Sequence, residues 1–359
     1  MTFTLTSKGV KLNYGNDGLI ATDAADAVRI VKEKGVAVLP GVLSPQECDA
    51  MNKGMWDTAE HLTSGLAIPL KRNNPDTYEA VFQLNPNHGG LIQHFSWGHA
   101  QYAWDVRQNP KVAEFYNILY KDQPLLTSFD GINASLGADM PKKKQRGKFR
   151  GGMGWLHTDQ RLSDSAFQCV QSWVTANDVL PGDATLRCLV GSHALHEKMA
   201  KHFGLTELKD DWYKYTLEQL AWFKEHGAEE LCITCPAGSQ VFWDSRVAHS
   251  GMEFLEDEDC PVRKTPRTHR NVVYVCFQPR EERTIQKRAM IFDPDGKWRL
   301  RLASHWPNKM KLFGEFPRSY GQPPPPGCKQ TDPKKHWSFV PEMPMPQLTD
   351  YGVQIALGV

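Results

Sequence analysis

The sequence predicts a mainly β chain with flanking helices, arranged as a double-sheet jelly roll. Three observations point there. Between Leu125 and Gln278, short runs rich in Val, Thr, Trp and Phe recur, separated by Gly, Pro, Asp and Asn turns. Helical patterns stand mostly ahead of that block and interrupt it only twice. After residue 320, Pro323-Pro324-Pro325-Pro326 and the run Pro341 to Pro346 exclude regular elements, because proline neither donates to a ladder nor continues a helix.

Taken in order, residues 1–21 read as an irregular extension. From Thr22 to Lys34 the pattern suits a helix with Ala25, Val28, Ile30 and Val31 as its apolar set, ended by Gly35. Val36-Ala37-Val38-Leu39 reads as a short buried strand. Ser44-Pro45-Gln46-Glu47 is a helix start, with a capping serine, a first-turn proline and the glutamate of a capping box, and the helix should reach Thr63. Asn109-Pro110 opens another, through Tyr120. Strands are expected at 125–136, 166–179, 185–190, 231–234, 240–243 and 271–278, with helices at 196–203 and 211–226. The organisation is then an extension at 1–21, one domain at 22–320 with core strands at about 125–280, and a Pro-rich tail at 321–359 lying on the surface.

Composition removes several function classes. Among 359 residues, 42 basic against 41 acidic side chains leave a net charge of +1, so overall charge does not drive the chain onto nucleic acid or an anionic membrane. No window approaches the roughly 18 apolar residues of a membrane helix. Residues 1–8 lack the layout of a signal peptide, so a cytoplasmic address is expected. The eight cysteines are sparse, and Cys232-x-x-Cys235 has no matching second pair, so buried free thiols are expected rather than a disulfide framework or a zinc knuckle.

The chemistry concentrates in a few positions. His157-Thr158-Asp159 ends an extended stretch, and residues i and i+2 of a strand share a face. His249 on a second strand would supply a third corner. Two imidazoles and a carboxylate on one face leave open coordination positions, the facial triad of non-haem Fe(II) oxygenases. Arg270, just before the apolar run Asn271 to Phe277, offers a fork for a carboxylate cosubstrate beside the metal.

At this point the chain resembles the phytanoyl-CoA dioxygenase-like family of Fe(II)/2-oxoglutarate-dependent oxygenases. Gly35-Val36-Ala37-Val38-Leu39-Pro40-Gly41 is similar to the family's opening strand. His157-Thr158-Asp159-Gln160 is similar to its metal pair. Trp173 to Val179, Gly191-Ser192-His193 and His249-Ser250-Gly251 resemble its later motifs in the same order. The similarity covers roughly 30–280. It implies a double-stranded β-helix core of cupin-like, jelly-roll type. It also implies Fe(II), 2-oxoglutarate and O2, with His157, Asp159 and His249 as metal ligands and Arg270 on the far carboxylate of 2-oxoglutarate. The stretch Glu253 to Pro266 reads as an insertion, which leaves Arg267 and Arg263 as alternatives to Arg270. The resemblance further implies oxidation of a C–H bond, hydroxylation first, with release of succinate and CO2. Related halogenases carry a small residue where Asp159 stands, so the carboxylate favours hydroxylation, desaturation or ring formation.

Supporting residues are weighed the same way. Trp173, Asn133 and Ser135 are candidates for contact with 2-oxoglutarate, the last two sharing one strand face. Asp244 and Arg246 read as a structural ion pair. His193 reads as a turn residue, and His196, His202 and His226 as solvated helix positions. His305 acquires a role only if the tail folds back over the pocket mouth. The loop 142–150 carries six basic residues in nine, a solvated loop or a recruiter of an anionic substrate. The expected partner is a small organic molecule, an anionic one if the loop recruits it; the less favoured readings are a nucleotide- or nucleic-acid-modifying oxygenase recruited by that loop and a non-catalytic jelly-roll binder. A membrane partner is not expected, and oligomeric state is not legible.

Overall fold

Capping chemistry fixes the helices of this protein, whose computed structural model describes residues 2–7, 10–84, 90–136, 155–255, 269–289, 305–309 and 337–358. The Asp23 side chain accepts from the Asp26 amide and starts α1 (Ala24–Lys34), which buries Ala24, Ala27, Val28, Ile30 and Val31 and stops at Gly35 with φ of 81°. The capping box of Ser44 and Glu47 starts α2 (Pro45–Thr63). α3 (Gln101–Arg107) and α4 (Pro110–Leu119) follow, the latter capped by Asn109. α5 (Ser192–His202) and α6 (Leu217–Glu225) interrupt the strands, α6 behind a second capping box of Thr216 and Gln219. α7 (Glu282–Ala289) and α8 (Asp350–Leu357) come last.

The strands are β1 (Phe3–Ser7), β2 (Val10–Gly15), β3 (Val36–Leu39), β4 (Leu91–Ile92), β5 (Leu125–Thr127), β6 (Ile132–Ser135), β7 (His157–Thr158) and β8 (Val170–Thr175). Then come β9 (Thr185–Val190), β10 (Tyr213–Lys214), β11 (Glu229–Ile233), β12 (Gln240–Asp244), β13 (His249–Met252), β14 (Arg270–Val275) and β15 (Phe277–Pro279). They form a seven-stranded sheet ordered β1-β2-β11-β9-β13-β7-β10 and a six-stranded sheet ordered β3-β12-β8-β14-β6-β4, with β15 and β5 paired apart. Apart from the adjacent β1 and β2, neighbours in these two sheets are non-consecutive, which makes this a jelly roll rather than a meander. Leu186, Cys188, Leu231 and Ile233 of the first sheet share one apolar cluster with Trp173, Val241, Val272 and Val273 of the second. Phe115 of α4 stacks on Phe242 at 3.9 Å between ring centroids, which ties that helix to β12. Each such fully buried side chain contributes roughly 1.5–3 kcal/mol.

Four expectations change. Residues 1–21 are not irregular: β1 and β2 pair as a hairpin and β2 extends the seven-stranded sheet through a parallel pairing with β11. Leu5, Leu12 and Tyr14 are buried there, so a period-two apolar pattern with Leu12 and Tyr14 is what holds the segment. The expected strand 125–136 divides into β5 and β6, because the buried Arg107 guanidinium takes up the Asp130 carbonyl between them at 2.7 Å. The tail is more than a surface strip: α8 buries Ile355 and Ala356, and Trp337 packs on Phe95 at 5.2 Å. The run 323–326 lies outside the described residues. His196 is buried on α5 rather than solvated, with its Nε2 at 3.2 Å from the Arg161 carbonyl.

Candidate active site

The four residues His157-Thr158-Asp159-Gln160 divide between two faces. Thr158 Oγ1 donates to the Ser245 carbonyl at 3.1 Å, and Ser245 Oγ donates to Gln160 Oε1 at 2.7 Å. Gln160 Nε2 in turn donates to the carbonyls of Asp164 and Ala166 at 2.7 and 2.8 Å. This knot fixes β7 to the turn between β12 and β13 and leaves His157 and Asp159 on the other face, as alternation requires. Across the ladder, His249 of β13 lies directly opposite His157.

The imidazoles are oriented by their second nitrogens. His157 Nδ1 lies 3.1 Å from the Trp155 carbonyl and His249 Nδ1 lies 2.9 Å from the Val247 carbonyl. A nitrogen facing a carbonyl carries the proton, so each Nε2 presents its lone pair inward. His157 Nε2 is 3.6 Å from Asp159 Oδ1, and His249 Nε2 is 3.3 Å from Asp159 Oδ2. Ligands about 2.1 Å from a first-row ion stand about 3 Å apart on adjacent corners, so the spacing fits a divalent cation with little adjustment. The three residues are buried, and their ligand atoms all lie within 4.8 Å of one another.

Electrostatics agree with that orientation. Burial, followed by the His249 ring, pushes His157 down to about 3, so it is neutral near pH 7. Burial works to raise the Asp159 carboxyl, but the neighbouring histidines, His305 foremost, outweigh it and hold it well below the usual carboxylate range. For His305 burial acts downward and loses to the Asp159 and Asp130 carboxylates, so its pKa lies well above the ordinary histidine value. Its Nδ1 donates to Asp130 Oδ2 at 3.0 Å, and its Nε2 lies 3.4 Å from Asp159 Oδ2.

The second sheet supplies the opposite wall. A cavity of about 630 Å³ of empty space, partly open to solvent, is lined by the three metal-site residues together with Gln171, Trp173, Arg270 and Tyr274 of the six-stranded sheet. Arg270 is 6 % exposed, its guanidinium stands 5.7 Å from the Trp173 ring centre, and its Nε has no hydrogen-bond partner. Among the described residues Arg270 has no carboxylate partner, and a buried guanidinium without one is costly, so a ligand carboxylate entering this cavity would complete it. Gln171 Nε2 donates to Asp159 Oδ2 at 3.0 Å from across the cavity. Trp155 stacks on His157 at 4.8 Å, and the half-exposed Trp212 lies 5.5 Å from the same ring.

His157, Asp159, His249, Arg270 and Trp173 therefore meet around one cavity. Asn133 and Ser135 do not line it: Ser135 Oγ donates to Asn133 Oδ1 at 2.8 Å, and Ser135 pairs in register with Arg270. Arg263, Arg267 and the basic loop 142–150 lie outside the described residues. Asp244 and Arg246 form the expected ion pair, at 2.7 Å. His193 is buried on α5, its Nε2 3.3 Å from the Lys32 carbonyl and away from the triad. Sequence reasoning missed Gln171, Trp155, Asp130 and Trp212. Gln171 had a signal: it shares a strand face with Trp173, two residues on. The six described cysteines, Cys232 and Cys235 among them, are free and buried. Among the described residues, no helix is long and apolar enough to cross a membrane.

Comparison with known proteins follows the same line. The family model for phytanoyl-CoA dioxygenase (PhyH) matches residues 31–254. A curated relative, Ava biosynthesis cluster protein O of Aspergillus versicolor, is 23% identical over 210 residues, which are 56% of this chain and 62% of that protein. The chain thus spans less than two thirds of that relative's length. Among solved structures, a putative oxidoreductase from Salmonella typhimurium LT2 aligns at a TM-score of 0.54 with 14% identity, covering 95% of this chain and 86% of that one. A hypothetical protein from Escherichia coli aligns at 0.51 with 15% identity, covering 95% and 85%. Those two likenesses bear on the fold, and the family match covers β7, β13 and the site between them. The chain belongs to the phytanoyl-CoA dioxygenase family of Fe(II)- and 2-oxoglutarate-dependent oxygenases.

Proposed function

We propose that this protein oxidises a C–H bond of a small organic substrate, hydroxylation being the reaction the site supports best. The overall balance is R–H + 2-oxoglutarate + O2 → R–OH + succinate + CO2. The observation that carries this reading is the convergence of two inward imidazole nitrogens and one carboxylate beside a buried arginine whose Nε has no partner among the described residues, in a single cavity. Bound there, Fe(II) with 2-oxoglutarate and O2 supplies the oxidant for the C–H bond.

The chain's own residues then have separate tasks. His157, Asp159 and His249 hold the ion and leave the remaining positions for ligands. Arg270, stacked near Trp173, takes the far carboxylate of 2-oxoglutarate and so fixes which end of that molecule faces the metal. Trp243, Trp155 and Tyr274 make a largely aromatic wall that limits water and favours an organic substrate with an apolar face. Trp212, 51 % exposed near His157, extends that wall toward the mouth.

The test needs no substrate. Under anaerobic conditions, Fe(II) and 2-oxoglutarate added to the wild-type protein should develop a weak visible charge-transfer band. His157→Ala, Asp159→Ala and His249→Ala should each abolish it. Arg270→Ala should keep metal binding and weaken 2-oxoglutarate at least tenfold, since a charge-assisted hydrogen bond contributes roughly 1.5–3 kcal/mol. A folded wild-type protein that binds metal but gives no band at saturating 2-oxoglutarate would refute the reading.

A further inference from the structure

We propose that His305 is a positioning residue of the metal centre, supplied by a segment beyond the family match: it stands between the Asp159 carboxylate and the buried Asp130 and fixes where Asp159 presents its oxygens to an ion. This deepens, and rests on, the iron-site reading above.

The geometry is a chain of three groups. Asp130 is 2 % exposed; its Oδ1 accepts the Gly131 amide at 2.6 Å, and its Oδ2 faces His305 Nδ1 at 3.0 Å. On the far side of the ring, His305 Nε2 faces Asp159 Oδ2 at 3.4 Å, the oxygen that also accepts from Gln171 at 3.0 Å. The ring thus stands between the two carboxylates and, together with Gln171, encloses Asp159 Oδ2, which holds the orientation of that ligand carboxylate.

The segment is held in place independently of the site. Trp306 is 3 % exposed and shares an apolar cluster with Cys169 and Cys276. The Asn308 backbone amide donates to Gln278 Oε1 at 3.1 Å and its Nδ2 donates to the Pro279 carbonyl at 2.8 Å, both acceptors on β15. Lys309 reaches Asp211 at 3.4 Å, in the loop that carries Trp212. The family match ends at residue 254, and this imidazole comes from a segment beyond it.

The experiment is equilibrium binding of Co(II), followed by its visible d–d absorption, to the full-length chain. Wild type, His305→Ala, His305→Gln and Trp306→Ala would be compared, with the melting temperature of each metal-free protein. Expected is a loss of about tenfold in Co(II) affinity for His305→Ala, as is typical when a group holding a metal ligand is removed. Its metal-free melting temperature should stay near wild type, its Co(II) spectrum should change shape, and His305→Gln should recover part of the affinity. Asp130→Asn in the His305→Ala background should cost little more, because the two act in series. Wild-type affinity and spectrum in His305→Ala would overturn the proposal while leaving the iron site standing. An equal loss in Trp306→Ala and His305→Ala, with both metal-free proteins melting lower, would also overturn it by assigning the effect to packing. Failure of the wild type to bind Co(II) would overturn the site reading itself.

Discussion

Gln171 reaches across the cavity from β8 to Asp159 Oδ2, so one metal ligand is oriented by the sheet that does not carry it. Gln171→Met keeps the side-chain length and removes the donor. Metal affinity should fall about tenfold, measured by Mn(II) titration calorimetry, because partners of a ligand typically contribute 10–100-fold. Unchanged affinity would mean that Asp159 is held well enough by its own backbone. At this scale the site was legible where its logic is local. His157 and Asp159 announce themselves as an i, i+2 pair, and His249 and Arg270 stand at the starts of strands. Asn133 and Ser135 were read from the same alternation, but register pairing sets which face meets the cavity, and their two side chains bond each other instead. His305 had no periodic pattern around it to carry a prediction. Its place comes from Trp306, Asn308 and Lys309, contacts with residues far away in the chain.

Gly35 joins an element boundary to the site. It ends α1 in the left-handed region at φ of 81°, where glycine avoids the cost that other residues meet. A Cβ there would also press on His193 Nδ1 and, at 2.8 Å, on Val247 Cγ2. Val247 supplies the carbonyl that orients His249, so the clash falls two residues before a metal ligand. Gly35→Ala should destabilise by about 2 kcal/mol or more, the left-handed cost plus the clash. Denaturant melts would read it, and a loss below about 0.5 kcal/mol would show that Val247 moves aside freely. Helix boundaries were largely readable because caps are local chemistry: Ser44 with Glu47 set the start of α2 within a residue. Short strands were harder. β7 and β10 have two residues each, and β4 likewise, too few for alternation to register. The β1–β2 hairpin was missed although Leu12 and Tyr14 alternate with Lys11 and Asn13, because so few apolar positions per strand do not stand out from an irregular segment.

Across the whole molecule, the cavity is a junction between parts that sequence alone keeps far apart. The seven-stranded sheet brings His157 and His249, the six-stranded sheet brings Gln171 and Arg270, and the 305–309 segment brings His305. An unfolded chain holds none of these together, so an ion that binds here binds the native state alone. Such binding adds RT ln(1 + [L]/Kd) to stability, about 2.7 kcal/mol at a hundredfold excess over Kd. Mn(II), which does not turn over with O2, should therefore raise the melting temperature by about 4 °C, and a chelator should reverse it. The 2-oxoglutarate dianion joins Arg270 on one sheet to the metal on the other, so adding it with Mn(II) should raise the transition again. Added alone it should do less, since only Arg270 would hold it. His249→Ala should remove the Mn(II) shift while Arg270→Ala keeps it and loses only the second increment. A Mn(II) shift that survives in His249→Ala would mean the ion stabilises the fold from elsewhere, and would separate the apparent metal centre from the stability of the molecule built around it.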